Sequence, residues 1–174
     1  TTVSVVEDTR EEDPTTPSTD HADIPVVTNE EGDPILTVSI PVGVGLNVNG
    51  QPGALSVQDA IGDLIARIEQ KTDVNSEQRS EMTFLGRGFL ASLAEDDTLV
   101  VQTITPTVSN DQVPDAPIII TASDSGGDSK QGLVIDVTGL PTGTVIQLDS
   151  VAFAAIVGAV KVVGGAGQNF AVGD

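Results

Sequence analysis

Cysteine, tryptophan and tyrosine are absent from this chain of 174 residues, and histidine and methionine occur once each. Without cysteine there is neither a disulfide framework nor a thiolate metal site. With four Phe as the only aromatics, the stacking platforms that sugar-binding clefts usually carry are missing. The apolar core must come from Val, Ile, Leu and Ala, a composition that favours sheets. Cations are scarce as well: seven Lys and Arg stand against 26 Asp and Glu, a net charge of −19. Phosphate-binding surfaces need clustered Lys and Arg, so the balance argues against nucleic acid and against anionic membranes. It suits salty surroundings, divalent cations or a secreted chain kept soluble by self-repulsion. No apolar run reaches the roughly 20 residues that a membrane-spanning helix needs. The longest, Val151 to Val163, is broken by Gly158 and Lys161, and no membrane insertion is expected. The opening TTVSVVEDTREE has no basic start and no apolar core of a signal peptide; a processed chain, one exported by a C-terminal signal and a cytosolic one all look like this.

Catalytic constellations are equally sparse. No G-x-S-x-G elbow, H-E-x-x-H or Walker pattern occurs. Gly43 and Gly45 lack the third glycine of a dinucleotide fingerprint, because position 48 is Val48. Arg87 stands alone between two glycines, and nothing in the spacing of Lys130 and Lys161 selects an isopeptide cross-link. His21 has no second histidine to share a metal and reads as solvated. An enzyme is not expected and no small-molecule substrate is identified. A carboxylate-based glycosidase is the remote alternative, because acids are plentiful.

What is present reads as a mainly β chain with one amphipathic helix. Residues 1–6, TTVSVV, alternate as a short strand. They lead into an acidic stretch punctuated by Pro14, Pro17 and Pro25, and residues 1–33 hold ten acids and one Arg. That composition predicts an extended linker. A strand cannot satisfy its ladder alone, so residues 1–6 either fold back onto their own sheet or join a neighbour's. The functional expectation takes the second option, with Thr2, Val3, Ser4, Val5 and Val6 as the interface.

Residues 35–50 alternate as strand up to a turn at Asn49 and Gly50. Ser56 and Asp59 form a capping box, and Val57, Ile61, Leu64, Ile65 and Ile68 make an apolar stripe, which predicts a helix ending near Thr72 and Asp73. The stretch VNSEQRSEMTFLGRGFLASL is less regular, with Phe84, Leu85, Phe89, Leu90 and Leu93 expected to close the core over that helix. Thr98 to Val108 is the strongest strand by propensity, and SNDQVPDAP after it reads as a linker. The expected division is an acidic strand and linker at 1–33, a small α+β domain at 34–109, a linker at 110–116 and an antiparallel or β-roll-like β domain at 117–174.

In that last part, Ile118 to Ile120 and Leu133 to Val137 read as strands joined by a hairpin-length turn holding Asp124 and Asp128. Thr144 to Leu148 follows as a third strand. The run VAFAAIVGAVKVV reads as two buried strands hinged near Gly158. The closing GGAGQNFAVGD places Gly164, Gly165, Gly167, Asn169, Gly173 and Asp174 in a pattern that resembles one turn of the glycine-rich nonapeptide repeat of RTX proteins, the secreted bacterial toxins, hydrolases and adhesins. Asn169 stands where that repeat has Asp, and Ala171 where it has a large apolar residue. The resemblance covers the last third of the chain. It implies a parallel β-roll with Ca²⁺ held between turns, here by Gly165, Gly167, Asn169 and Asp174, in a secreted surface protein.

The functional expectation is a non-enzymatic structural subunit of an extracellular or cell-surface assembly (a filament, fibre or surface layer), a homo-oligomer or polymer of secreted, processed chains. The alternative is a calcium-binding module flanking the RTX roll of an adhesin.

Overall fold

The computed structural model describes residues 1–8, 21–123 and 129–173. The middle of the acidic stretch, the turn acids Asp124 and Asp128, and Asp174 lie outside the described residues. The chain is mainly β, as its composition and alternation imply. In order it runs β1 (Thr2–Val3), β2 (His21–Thr28), β3 (Pro34–Pro41), β4 (Val44–Gly50), β5 (Leu55–Ser56), α1 (Val57–Lys71), α2 (Glu77–Ala91), β6 (Thr98–Val108), β7 (Ile118–Ala122), β8 (Ser129–Asp136), β9 (Val145–Asp149), β10 (Phe153–Val157), β11 (Lys161–Gly164) and β12 (Ala171–Gly173).

Two mixed sheets face each other, and the helices cover the outer face of one. The first has the order β1-β4-β6-β8-β10-β12 with β5 beside β6; the second has the order β11-β9-β7-β3-β2. Between the sheets lies an aliphatic core that includes Leu36, Val38 and Ile40 of β3, Ile118 and Ile120 of β7, Leu46 of β4, Ile104 of β6 and Ile135 of β8. On the outer face of the first sheet, Leu64, Ile65 and Ile68 of α1 with Met82 and Leu90 of α2 pack onto Leu99, Val101, Val134, Phe153 and Ala155. That sheet is therefore buried on both faces. β10 reads FAAIV with every residue buried, the continuous apolar run of a doubly covered strand. β9 in the second sheet alternates buried and half-buried positions, as a sheet covered on one face does.

The helix α1 starts where the capping box places it. Ser56 Oγ accepts from Asp59 N at 3.2 Å, and the stripe residues Leu64, Ile65 and Ile68 are buried. The expectation of a single helix is corrected, because residues 77–91 form α2. Ser76 caps it, its Oγ accepting from Arg79 N. Arg79 then ties the helices together: its Nε donates to Thr72 Oγ1 at 3.1 Å and its guanidinium to the carbonyls of Glu69 and Thr72. These are the orphan acceptors at the C-terminus of α1. Gly86 and Gly88 weaken the helical signal of α2 in the sequence. Gly86 faces Ile65, Ile68 and Phe153, whereas a Cβ at Gly88 would meet nothing within 4 Å. Gly88→Ala is expected to stabilise the protein by about 0.5–1 kcal/mol through helix propensity. That gain is checked as a rise in thermal midpoint of about 1–4 °C.

Three further expectations change. The linker assigned to residues up to 33 contains β2, which pairs antiparallel with β3 across a turn where Asn29 Oδ1 accepts from Glu31 N and Asp33 N. β7 and β8 are not a hairpin: β7 pairs with β3 and β9, and β8 with β6 and β10, in the other sheet. The boundary at 110–116 does not separate two folding units, since β3 pairs with β7 and β6 with β8 across it. A Pro- and Asp-rich connection looks the same whether it links domains or crosses from one sheet to the other.

From β6 onward, consecutive strands alternate between the sheets, and each pairs in parallel with the strand two further on. This is the winding of a two-sheet coil, the roll-like half of the fold expectation, and every strand pair within residues 118–173 is parallel. The coil tightens as it proceeds. Leu99 lies beside Lys130, thirty-one positions on, and Leu133 beside Ala154, twenty-one on. Ala154 lies beside Ala171, only seventeen on, and Val145 beside Lys161, sixteen on.

Candidate functional site

Residues 2–6 have a partner in their own chain. Thr2 lies opposite Asn47 and Val3 opposite Leu46. Val48 N donates to the Thr1 carbonyl at 2.7 Å, Val6 N to the Val44 carbonyl at 3.0 Å and Gly43 N to the Val6 carbonyl at 2.8 Å. Val6 is buried and Val3 packs against the core. The structure thus realises the fold-back alternative, and the interface residues Thr2, Val3, Ser4, Val5 and Val6 line the edge of the chain's own first sheet. The physical reason is proximity: β4 offers an unpaired edge within the same molecule, so no second chain has to be ordered.

The structure brings Gly165, Gly167 and Asn169 together in the turn between β11 and β12. Asn169 Oδ1 accepts from Val151 N at 2.9 Å, and its amide donates to the Ala166 carbonyl at 3.2 Å. The Asp149 carboxylate accepts from Ala166 N at 2.8 Å and from Gln147 Nε2. A Cβ at Gly165 would fall onto Asp149 Oδ1, and one at Gly167, which has φ 73°, onto Ser150 Oγ. The glycines let this turn lie flat on the preceding one, and Asn169 braces it. Two side-chain oxygens at this turn, Asn169 Oδ1 and the Asp149 carboxylate, accept from protein donors. Among the described residues no three His, Asp or Glu side chains converge. Asn169 thus serves as a hydrogen-bonded brace of this turn.

Recesses indent the surface of the described residues. One of about 320 Å³ is lined by Asn47, Asn49, Arg67, Gln70, Lys71, Thr103 and Thr105, where Arg67 is held by Asp63 and Thr103. A larger one of about 1020 Å³ has Phe89, Leu93, Lys130, Gln131, Asn169 and Phe170 among its lining. Among the described residues no carboxylate lines either recess. His21 is not simply solvated: its Nε2 donates to the Pro117 carbonyl at 2.9 Å.

Lys71 of α1 reaches across to Asp136 at the end of β8, Nζ to Oδ2 2.8 Å. Burial pushes the Asp136 carboxyl up, but Lys71 and the Thr138 hydroxyl and amide hold it, on balance, below the ordinary value of 3.8. A lowered carboxyl favours the folded state above the unfolded value, and that contribution disappears as pH falls through the folded value. Asp136→Asn is expected to cost about 1–2 kcal/mol at pH 7. The gap between wild type and variant should narrow below pH 3.8, as urea unfolding at a series of pH values would show.

The feature that the sequence left unmarked is the exposed apolar edge at β11 and Phe170. Among the described residues, β11 pairs only with β9 and β12 only with β10, and each is the last strand of its sheet. Val162, Val163 and Phe170 are exposed at 39, 36 and 46 %. β11 is thus exposed where the sequence predicted a buried strand. The opposite edges are guarded. β2 carries Pro25 and a register shift between Pro25 and Val27, and β1 is only two residues long; these are the usual devices against edge-to-edge pairing.

No family model, no curated protein and no solved structure matches this chain.

Proposed function

We propose that this chain is a non-enzymatic structural subunit of an extracellular or cell-surface assembly, joined to its neighbours through the exposed apolar edge at β11 and Phe170. The observation that carries the reading is the asymmetry of the two ends. Strand pairing is blocked at β1 and β2, while β11 and β12, each the last strand of its sheet, are flanked by exposed Val162, Val163 and Phe170. From Gly158 to Gly173 the only charge is Lys161, so these residues add no acidity of their own to that edge. The joint differs from the one expected of residues 2–6, which are occupied at home.

Light-scattering mass, measured on the full chain with millimolar Ca²⁺ and with chelator, tests the reading. Species above the 17.8 kDa monomer, growing with concentration in both buffers, are expected. Val163→Lys should return them to monomer, whereas removing residues 1–6 should not. A monomer in both buffers at every concentration would overturn the proposal. Association only with Ca²⁺ would replace it with the calcium-binding module that the RTX resemblance implies.

A further inference from the structure

The helices pack on β6, β8 and β10 of the first sheet, and the smaller recess lies beside them, over β4 and the second half of β6. On β4, Leu46 and Val48 face the core between the sheets, which turns Asn47 and Asn49 to the helix side. On β6 the helix-side positions change from Leu99 and Val101, beneath the helices, to Thr103 and Thr105. Asn47 stands opposite Thr105 and Asn49 opposite Thr103, so two amides and two hydroxyls form the floor. Arg67, Gln70 and Lys71, three and four positions apart on α1, form the wall. The Arg67 side chain is only 13 % exposed. Its Nε donates to Asp63 Oδ2 at 3.0 Å, and its Nη1 to the Asn49 carbonyl at 2.9 Å and to Thr103 Oγ1 at 3.2 Å. Among the described residues its Nη2 has no acceptor, and the side chains of Asn47, Asn49, Gln70 and Thr105 make no hydrogen bond.

We infer that this recess binds a single oxyanion, the carboxylate or phosphate group of a small ligand, through Arg67, Lys71 and the amides of Asn47 and Asn49. The lining presents two cations, three amides and two hydroxyls, and no carboxylate among the described residues. A group that only accepts hydrogen bonds complements such an excess of donors. The guanidinium is already held by three bonds, so its rotamer is fixed before a ligand arrives and less entropy is lost on binding. Its planar fork matches carboxylate and phosphate oxygens. At about 320 Å³ the recess has the size of a small-molecule site. Charge limits the occupant. Asp63 and Asp136 sit on Arg67 and Lys71 and the chain carries −19, so a polyanion is repelled and one oxyanion group is what the donors serve. Lys71 is shared: its Nζ holds Asp136 Oδ2 at 2.8 Å, and an oxyanion in the recess competes with that carboxylate for it. None of these groups belongs to the edge at β11 and Phe170, so the site and the joint are independent.

The probes are inorganic phosphate and acetate, each titrated into the full chain at constant ionic strength, with sodium chloride as the reference. Heteronuclear NMR follows the side-chain amide signals of Asn47, Asn49 and Gln70. A saturable shift of those signals with phosphate, with acetate or with both is expected, and none with chloride. A response confined to one probe assigns the bound group as phosphate or as carboxylate. Asn47→Ala with Asn49→Ala, both at exposed positions, should weaken binding about tenfold, with Gln70 as the reporter. Arg67→Lys, which keeps the charge and loses the fork, should weaken it at least as much. Asp136→Asn should tighten binding several-fold, because it frees Lys71 for the ligand; a merely structural role for that pair gives no such gain. Far-UV circular dichroism confirms that each variant is folded, and the Asn pair carries the test if Arg67→Lys does not fold. Shifts that stay linear to tens of millimolar, that chloride reproduces, or that persist with unchanged affinity in the Asn pair overturn the inference. An unchanged affinity in Asp136→Asn removes Lys71 from the donors and overturns it as stated.

Discussion

Phe153→Ala is expected to lower the stability of the protein by about 3–5 kcal/mol, the usual cost of emptying a large buried aromatic site. Phe153 is fully buried. It opens β10 on the helix-covered face, stacks on Phe89 of α2 at 5.1 Å and 17° and on Phe170 of the following turn at 5.7 Å and 20°, and lies under Gly86. One side chain therefore joins helix, sheet and last turn. Alanine forfeits the transfer of the ring out of water and the two aromatic contacts, and the rigid sheet beneath cannot collapse to close the gap. At this chain length the loss corresponds to a fall in thermal midpoint of about 6–20 °C. In urea the midpoint should drop with an unchanged slope, followed by far-UV circular dichroism because the chain has no Trp or Tyr. A loss below about 1 kcal/mol would mean that Phe153 does not bridge the three layers.

The second large effect is expected at Gly158→Ala. Gly158 has φ 111°, and a Cβ there would lie 2.9 Å from Thr138 N and 3.1 Å from both Thr138 Cα and the Val137 carbonyl carbon. At this corner the chain leaves β10 for β11, and Val137 N donates to the Val157 carbonyl at 2.9 Å. A side chain meets two penalties there: a backbone conformation that costs about 1–3 kcal/mol for a residue with a Cβ, and contact with main chain that cannot swing aside. Together they predict a loss of about 3 kcal/mol or more. Gly88→Ala is the control, because the same added methyl meets open space and should stabilise. Equal effects at the two positions would show that backbone geometry and the neighbouring turn play no part at Gly158.

Local chemistry carried much of the architecture. The Ser56 cap with its i, i+3, i+4 stripe places α1, the β-branched run 98–108 places β6, and Gly158 marks the corner it occupies. The second helix was obscured because Gly86 and Gly88 dilute its pattern, although Ser76 and Glu77 were available as a start signal. β2 was obscured by Pro25 and its acidic flanks, the features that make it a guarded edge. The exposed edge at β11 and Phe170, the candidate site, was visible only as a resemblance of its turn to a glycine-rich repeat. The exposure of Val162, Val163 and Phe170 could not be read, because apolar residues at strand spacing predict burial.

By itself the sequence determined the mainly β class, the aliphatic core, the acidic surface and the positions of most turns, since each depends on residues within a few positions of one another. Only the tertiary structure decided which sheet each strand joins, that β6 to β12 wind in parallel, that residues 1–6 pair at home, and that Val162, Val163 and Phe170 are exposed. Those outcomes depend on pairing between residues sixteen to thirty-one positions apart in the coil and farther apart at β1. A turn that reverses the chain has the same composition whether the next strand lies beside the last or across the core from it.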